Sequence, residues 1–119
     1  MDRFRPESFL PLTPVAFEIL LALADGERHG YSILQEVESR SGGAVSLHAG
    51  TLYRALARLL EHDLIDELRE SPDPSSDDER RRYYRLTARG IAVARAEAAR
   101  LDGQLAAART RRLLRVARP

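Results

Sequence analysis

The stretch His48-Ala-Gly-Thr-Leu-Tyr-Arg-Ala-Leu-Ala-Arg-Leu-Leu-Glu-His-Asp-Leu-Ile65 decides how the rest of the chain is organised. Leu52, Leu56, Leu59 and Leu60 share one face at helical spacing, which predicts a helix from about Ala49 to His62. The opposite face carries Thr51, Tyr53, Arg54 and Arg58, hydroxyl and guanidinium groups suited to phosphates and base edges. On pattern alone that face is equally a solvated helix surface. Gly50 lets the backbone come close to whatever the helix meets.

Upstream, Thr13-Pro14 is a helix start, with Thr as the cap and Pro at the first helical position. Val15, Ile19, Leu20 and Leu23 follow at helical spacing, and Asp25-Gly26 ends the run. A second helix is expected from His29-Gly30 to about Arg40, with Tyr31, Ile33, Leu34 and Val37 as its buried face. His29 is placed to cap or orient the turn that opens it, and Ser41-Gly-Gly43 stops it. Residues 1–12 hold two Pro and no periodicity, and read as a loose N-terminal arm.

Downstream, Leu64–Glu70 reads as a strand and Arg81–Thr87 is rich in β-formers; they flank the polar, turn-rich Ser71–Glu79, which predicts a hairpin with Tyr84 beneath it. From Ala88 to about Val116 the chain is an Ala/Arg/Leu-rich helix without Pro. Ile91, Ala94, Ala98, Leu101, Leu105 and Ala108 step by three, four, three, four and three, a heptad seam interrupted only by Gly103. A helix this long needs a partner for its stripe, either the N-terminal helix or a second copy of the chain. The expected class is mainly α with a small β-hairpin: a winged helix-turn-helix over residues 13–87, after the arm at 1–12 and before a dimerisation helix at 88–119.

The chain has 119 residues, enough for one domain, and 44% hydrophobic with 31% charged residues suits a soluble globular protein. It lacks cysteine, which excludes disulfide and thiol chemistry. Ile19–Ala24, the longest apolar run, is too short to span a bilayer, and Met1-Asp-Arg-Phe-Arg-Pro-Glu7 has no signal-peptide core, so a cytoplasmic location is expected. His29, His48 and His62 lack metal-ligand spacing, so no metal or cofactor is implied. With no Gly-rich phosphate loop and only scattered carboxylates, an enzyme is not expected. The net charge of +1 is uneven: residues 87–119 carry eight Arg against Glu97 and Asp102, which is +6, and leave −5 on residues 1–86. All nineteen basic residues are Arg, a choice that suits phosphate and guanine but also follows from an Arg-rich codon usage.

Four motifs stand in register: His29-Gly30-Tyr31 with Ile33, Gly50-Thr51-Leu52-Tyr53 with Leu56 and Arg58-Leu59, Leu64-Ile65, and Arg82-Tyr83-Tyr84 with Leu86-Thr87 and Gly90. In order and spacing they resemble the PadR-family transcriptional regulators. Together they cover roughly residues 13–92. The resemblance implies a homodimeric DNA-binding repressor, with the single C-terminal helix of the short-tailed subgroup as its dimer interface. It implies DNA contacts from Thr51, Tyr53, Arg54 and Arg58, with Tyr31 as a further candidate, and from Arg81 and Arg82 at the base of the wing; Tyr53 alternatively packs against the first or second helix, and Tyr31 alternatively belongs to the core. It also implies an operator that is an approximate inverted repeat, and it leaves room for a small-molecule inducer of unknown identity. Asp63 stands where the family usually has Gly; Asp tolerates the left-handed conformation a helix end needs there. His48 stands where a small hydroxyl residue often caps the third helix, a role open to Ser46. The wing turn is acidic, with Asp73, Asp77, Asp78 and Glu79, which is unfavourable for a tip that faces DNA. Arg80 to Arg82 serve equally to neutralise it, and the five Arg of residues 109–118 serve either as phosphate attractors or as a solvated helix end. The alternative to a DNA-binding role is a winged-helix module that docks onto protein.

Overall fold

The computed structural model describes residues 3–43, 47–68 and 82–114. Helix α1 spans Pro14–Leu23, and the Thr13 hydroxyl accepts the Ala16 N–H at 3.1 Å, as the Thr-Pro start implies. A short strand β1, Arg28–His29, leads into α2, Gly30–Arg40. Helix α3 covers Ala49–Glu61. Strands β2, Ile65–Leu68, and β3, Tyr83–Leu86, precede α4, Ala88–Thr110.

The core is one cluster. Ile19, Leu20 and Leu23 of α1 meet Ile33 and Val37 of α2, Leu52, Leu56 and Leu59 of α3, Leu64 and Ile65 at β2, Tyr84 of β3 and Val93 of α4. In α1, α2 and α3 these are the stripes that helical spacing marks, and their burial is what holds three short helices in place.

Helix ends follow backbone chemistry. After α2, Gly42 takes a φ of 63°, and the N–H of Gly43 reaches back to the Glu38 carbonyl at 3.1 Å. After α3, Asp63 does the same with a φ of 60°, and the Leu64 N–H bonds the Leu59 carbonyl at 3.0 Å. Both are Schellman closures, and Asp63 performs the one for which glycine is the usual residue.

Three expectations need correction. The buried face of α2 does not include Tyr31, which is 62% exposed. Two residues along a helix turn the side chain through about 200°, so Tyr31 points away from Ile33, and Gly30 takes the buried row instead. The expected antiparallel pairing of β2 with β3 is present, and β1 adds a third strand in the order β1-β3-β2, with Arg28 opposite Tyr84 and Leu68 opposite Tyr83. The N-terminal segment is not loose along its whole length. Pro6–Phe9 form a turn of 3-10 helix, and Phe4, Phe9, Leu10 and Leu12 pack onto the core. Helix α4 stops at Thr110, short of Val116, which lies outside the described residues. Arg112 adopts a φ of 59° there, and the Leu113 N–H bonds the Ala108 carbonyl at 2.9 Å, a Schellman end with no glycine to announce it. At the start of α3, His48 stands at the cap position and makes no side-chain bond, and Ser46 lies outside the described residues.

Candidate nucleic-acid interface

Helix α3 is held by its leucine face, and its outer face is open. Gly50, Tyr53, Arg54, Ala57, Arg58 and Glu61 are exposed, and Thr51 is half-buried. A side chain at Gly50 would meet only the Arg54 guanidinium, at 3.6 Å, so this glycine is not required for packing against a neighbouring helix. Arg54 Nη2 donates to the Thr51 hydroxyl at 3.3 Å.

Tyr53 bridges two elements. Its hydroxyl lies 3.0 Å from where a Gly30 side chain would start, so it packs over the first turn of α2 and remains 43% exposed. A Cβ at position 30 would require the Tyr53 ring to give by a few tenths of an ångström. Next to it, His29 closes the start of α2: its Nδ1 accepts the Ser32 N–H at 3.1 Å. The His29 ring stacks with Tyr31 at a centroid distance of 6.5 Å and meets Tyr83 of β3 edge-on at 5.8 Å. The first turn of α2, the outer face of α3 and the base of the sheet are thus tied together by aromatic rings.

Charge pairing separates the arginines. Arg28 bonds the Ala22 carbonyl at 2.8 Å and the Ser32 hydroxyl at 3.0 Å, and lies 3.8 Å from Glu36. Arg40 lies 3.2 Å from Glu18 and 3.4 Å from Glu36, which ties the end of α2 to α1. On the sheet, Arg82 lies 3.0 Å from Glu67, and Arg85 lies 3.5 Å from Asp66. These guanidiniums are already compensated. Arg54 and Arg58 have no carboxylate partner among the described residues. Arg81 lies outside the described residues. Below the sheet, Tyr84 is buried, and its hydroxyl is pushed above its ordinary pKa chiefly by that burial and then by the Glu67 carboxylate.

Helix α4 turns a different face inward from the one its heptad marks. Gly90, Val93 and Glu97 are buried, whereas Ile91, Ala98 and Leu105 are exposed and Ala94, Leu101 and Ala108 are half-buried. Glu97 was not identified from sequence, because a lone glutamate in an Ala/Arg helix carries no signal of burial. Its Oε2 accepts the Leu12 N–H at 2.7 Å, and its Oε1 accepts the Arg100 guanidinium. The bond from Arg100 holds the Glu97 carboxyl below the usual glutamate range, against the opposing effect of burial. Ile91, Ala94 and Ala98 line an open groove of about 590 Å³ against Leu23 and Leu86. Leu101 lines a second cavity, of about 600 Å³, with Phe17 and Leu21 of α1. Among the described residues no helix is long and apolar enough to cross a membrane, and no cluster of three or more His, Cys, Asp or Glu residues could hold a metal ion.

Three helices around one core, a small antiparallel sheet closing them and a long helix leading away define a winged-helix protein. The chain belongs to the transcriptional regulator PadR-like family, whose model matches residues 19–96. Members of this family are transcriptional regulators. The fold is similar to that of a transcriptional regulator from Clostridium thermocellum, with a TM-score of 0.68 and 25% identity over 81% of this chain and 87% of that one. It is also similar to a PadR family transcription regulator from Clostridium difficile R20291, with a TM-score of 0.69 and 23% identity over 82% and 97% of the two chains. A third likeness is to Bacillus subtilis PadR in complex with operator DNA, with a TM-score of 0.62 and 22% identity over 72% of this chain and 47% of that one. The last two, below 25% identity, speak for the fold alone. The chain spans 65% and 24% of the lengths of the curated relatives it matches.

Proposed function

We propose that the protein is a homodimeric repressor that binds double-stranded DNA through α3. The observation that carries this reading is the pair Arg54 and Arg58, exposed on the outer face of α3 and without carboxylate partners among the described residues. An α-helix fits the major groove, and uncompensated guanidiniums on it attract phosphate and bond guanine. Thr51 and Arg58 serve phosphates, Arg54 serves a base edge, and Tyr53 and Tyr31 border the contact. Arg82 contributes at the base of the wing by sharing its charge between Glu67 and the DNA backbone, with Arg81 beside it in sequence.

Homodimerisation uses the seam of Ile91, Ala94, Ala98, Leu101, Leu105 and Ala108, which the fold leaves wholly or partly uncovered. A two-fold dimer presents two α3 helices about one DNA turn apart, roughly 34 Å, so the operator is an inverted repeat. Occupancy there blocks transcription. An inducer acts by binding one spacing of the two heads better than the other. The cavity between α1 and α4, beside Leu101, is the place where a small molecule would alter that spacing.

The test is affinity for selected duplex DNA across a salt series. Contact with several phosphates makes binding fall steeply with salt. Arg54→Ala is expected to cost about 1–3 kcal/mol on the selected site and little on random DNA. Equal losses on both would make Arg54 a phosphate contact. Absence of a salt slope would turn the reading towards protein docking.

A further inference from the structure

We infer that α3 reads two adjacent base pairs with two different side chains, a guanine through Arg54 and the methyl group of a thymine through Ala57. The inference rests on the DNA-binding role proposed above.

The outward stripe of α3 is Gly50, Arg54, Ala57 and Glu61, spaced by four, three and four residues and exposed throughout, opposite the buried Leu52, Leu56 and Leu59. Gly50 adds no side chain, so Arg54 is the first long group on the stripe. Its bond to Thr51 engages Nη2 and leaves other guanidinium donors for the two acceptors of a guanine edge. Ala57 is a single methyl among long neighbours, with Arg54, Arg58 and Glu61 around it in sequence. At this exposed position the helix presents a methyl group and no longer side chain. The apolar group that a base pair offers in the major groove is the thymine C5-methyl, and a methyl group accepts it without stranding a polar atom.

Spacing decides that the two contacts fall on neighbouring pairs. The rise from Arg54 to Ala57 is about 4.5 Å. One base step is about 3.4 Å, so the rise is nearer one step than two. Glu61 ends the stripe. Its carboxylate accepts but cannot donate, has no ion-pair partner among the described residues, and is repelled by phosphate. It keeps the C-terminal end of α3 off the backbone and confines base reading to Arg54 and Ala57.

The experiment is selection from random duplex DNA, followed by replacement of single thymines with uracil, which removes only the methyl group. The expected operator half-site has a G·C pair beside a T·A pair. Uracil at that thymine weakens wild-type binding about fourfold, the effect of one buried methyl group. An Ala57→Gly protein is indifferent to the same replacement. Ala57→Gln, checked for folding by circular dichroism and for non-specific DNA binding, keeps the guanine and changes the neighbouring preference. If a half-site is selected but no uracil replacement beside the guanine matters, or if wild type and Ala57→Gly respond alike, this inference fails and DNA reading by α3 stands. If no site is selected at all, both fail.

Discussion

Gly90 and Gly103 lie on the same helix and have opposite roles. A side chain at Gly90 would stand 1.9 Å from the Leu64 carbonyl oxygen, a backbone atom that cannot yield without moving β2. Gly90→Ala is therefore expected to cost about 3 kcal/mol or more, at the upper end of overpacking penalties. Around Gly103 nothing lies within 4 Å. There the same substitution is expected to stabilise by up to about 1 kcal/mol through helix propensity alone. Urea unfolding of the two variants gives the contrast, and a stable Gly90→Ala protein would mean that α4 and β2 are not so closely apposed. Glu97 makes a second prediction. Its carboxyl is held below the ordinary glutamate value of about 4.3, so the folded state binds its proton less readily than the unfolded state. Its contribution is present above that ordinary value and is lost as pH falls through the lower folded value. Stability below about pH 4.3 should therefore fall less steeply in Glu97→Gln than in wild type. Identical acid slopes would show that the buried carboxylate is not coupled to folding.

At the scale of elements, the turn between α3 and β2 is joined to the start of α4. The Thr87 hydroxyl accepts the Gly90 N–H at 3.0 Å and donates to the Asp63 carbonyl at 2.7 Å. One side chain thus caps α4 and binds the residue that ends α3. Thr87→Ala is expected to cost about 1–2 kcal/mol, with Thr87→Ser recovering most of it, because Ser keeps the hydroxyl. Equal loss in both variants would assign the effect to the methyl group instead. The caps at Thr13 and His29 and the closures at Gly42 and Asp63 were all legible in the sequence, since a cap is a contact over three or four residues. The end of α4 was not. Arg112 is a residue type that seldom adopts a left-handed backbone, and nothing nearby in sequence marks it as a stop.

For the whole molecule, the question is what covers α4. Its inward face is Gly90, Val93 and Glu97, and the heptad stripe lies beside that face. Leu105 is 44% exposed, beyond the reach of the core, so Leu105→Asp is expected to abolish the dimer without unfolding the protomer. Sedimentation that still shows a dimer, with unchanged thermal unfolding, would remove Leu105 from the seam. Leu101 is a less clean probe, because it also lines the cavity against Phe17 and Leu21.

The four helices, most of their starts and stops, the leucine face of α3 and the core built from it follow from the order of residues along the chain. Each is a local matter, decided by backbone dihedrals, caps and the period of apolar residues. Packing in three dimensions settles that Arg28–His29 pairs with β3, that Phe4, Phe9, Leu10 and Leu12 lie on the core, that Tyr31 faces outward, and that Glu97 is buried with Leu12 and Arg100 as its partners. The physical reason is rotation and docking. An element's own residues settle its conformation, but the face it buries depends on the shape of distant elements. At α4 the close approach that Gly90 permits to Leu64 selects that face over the stripe its heptad marks.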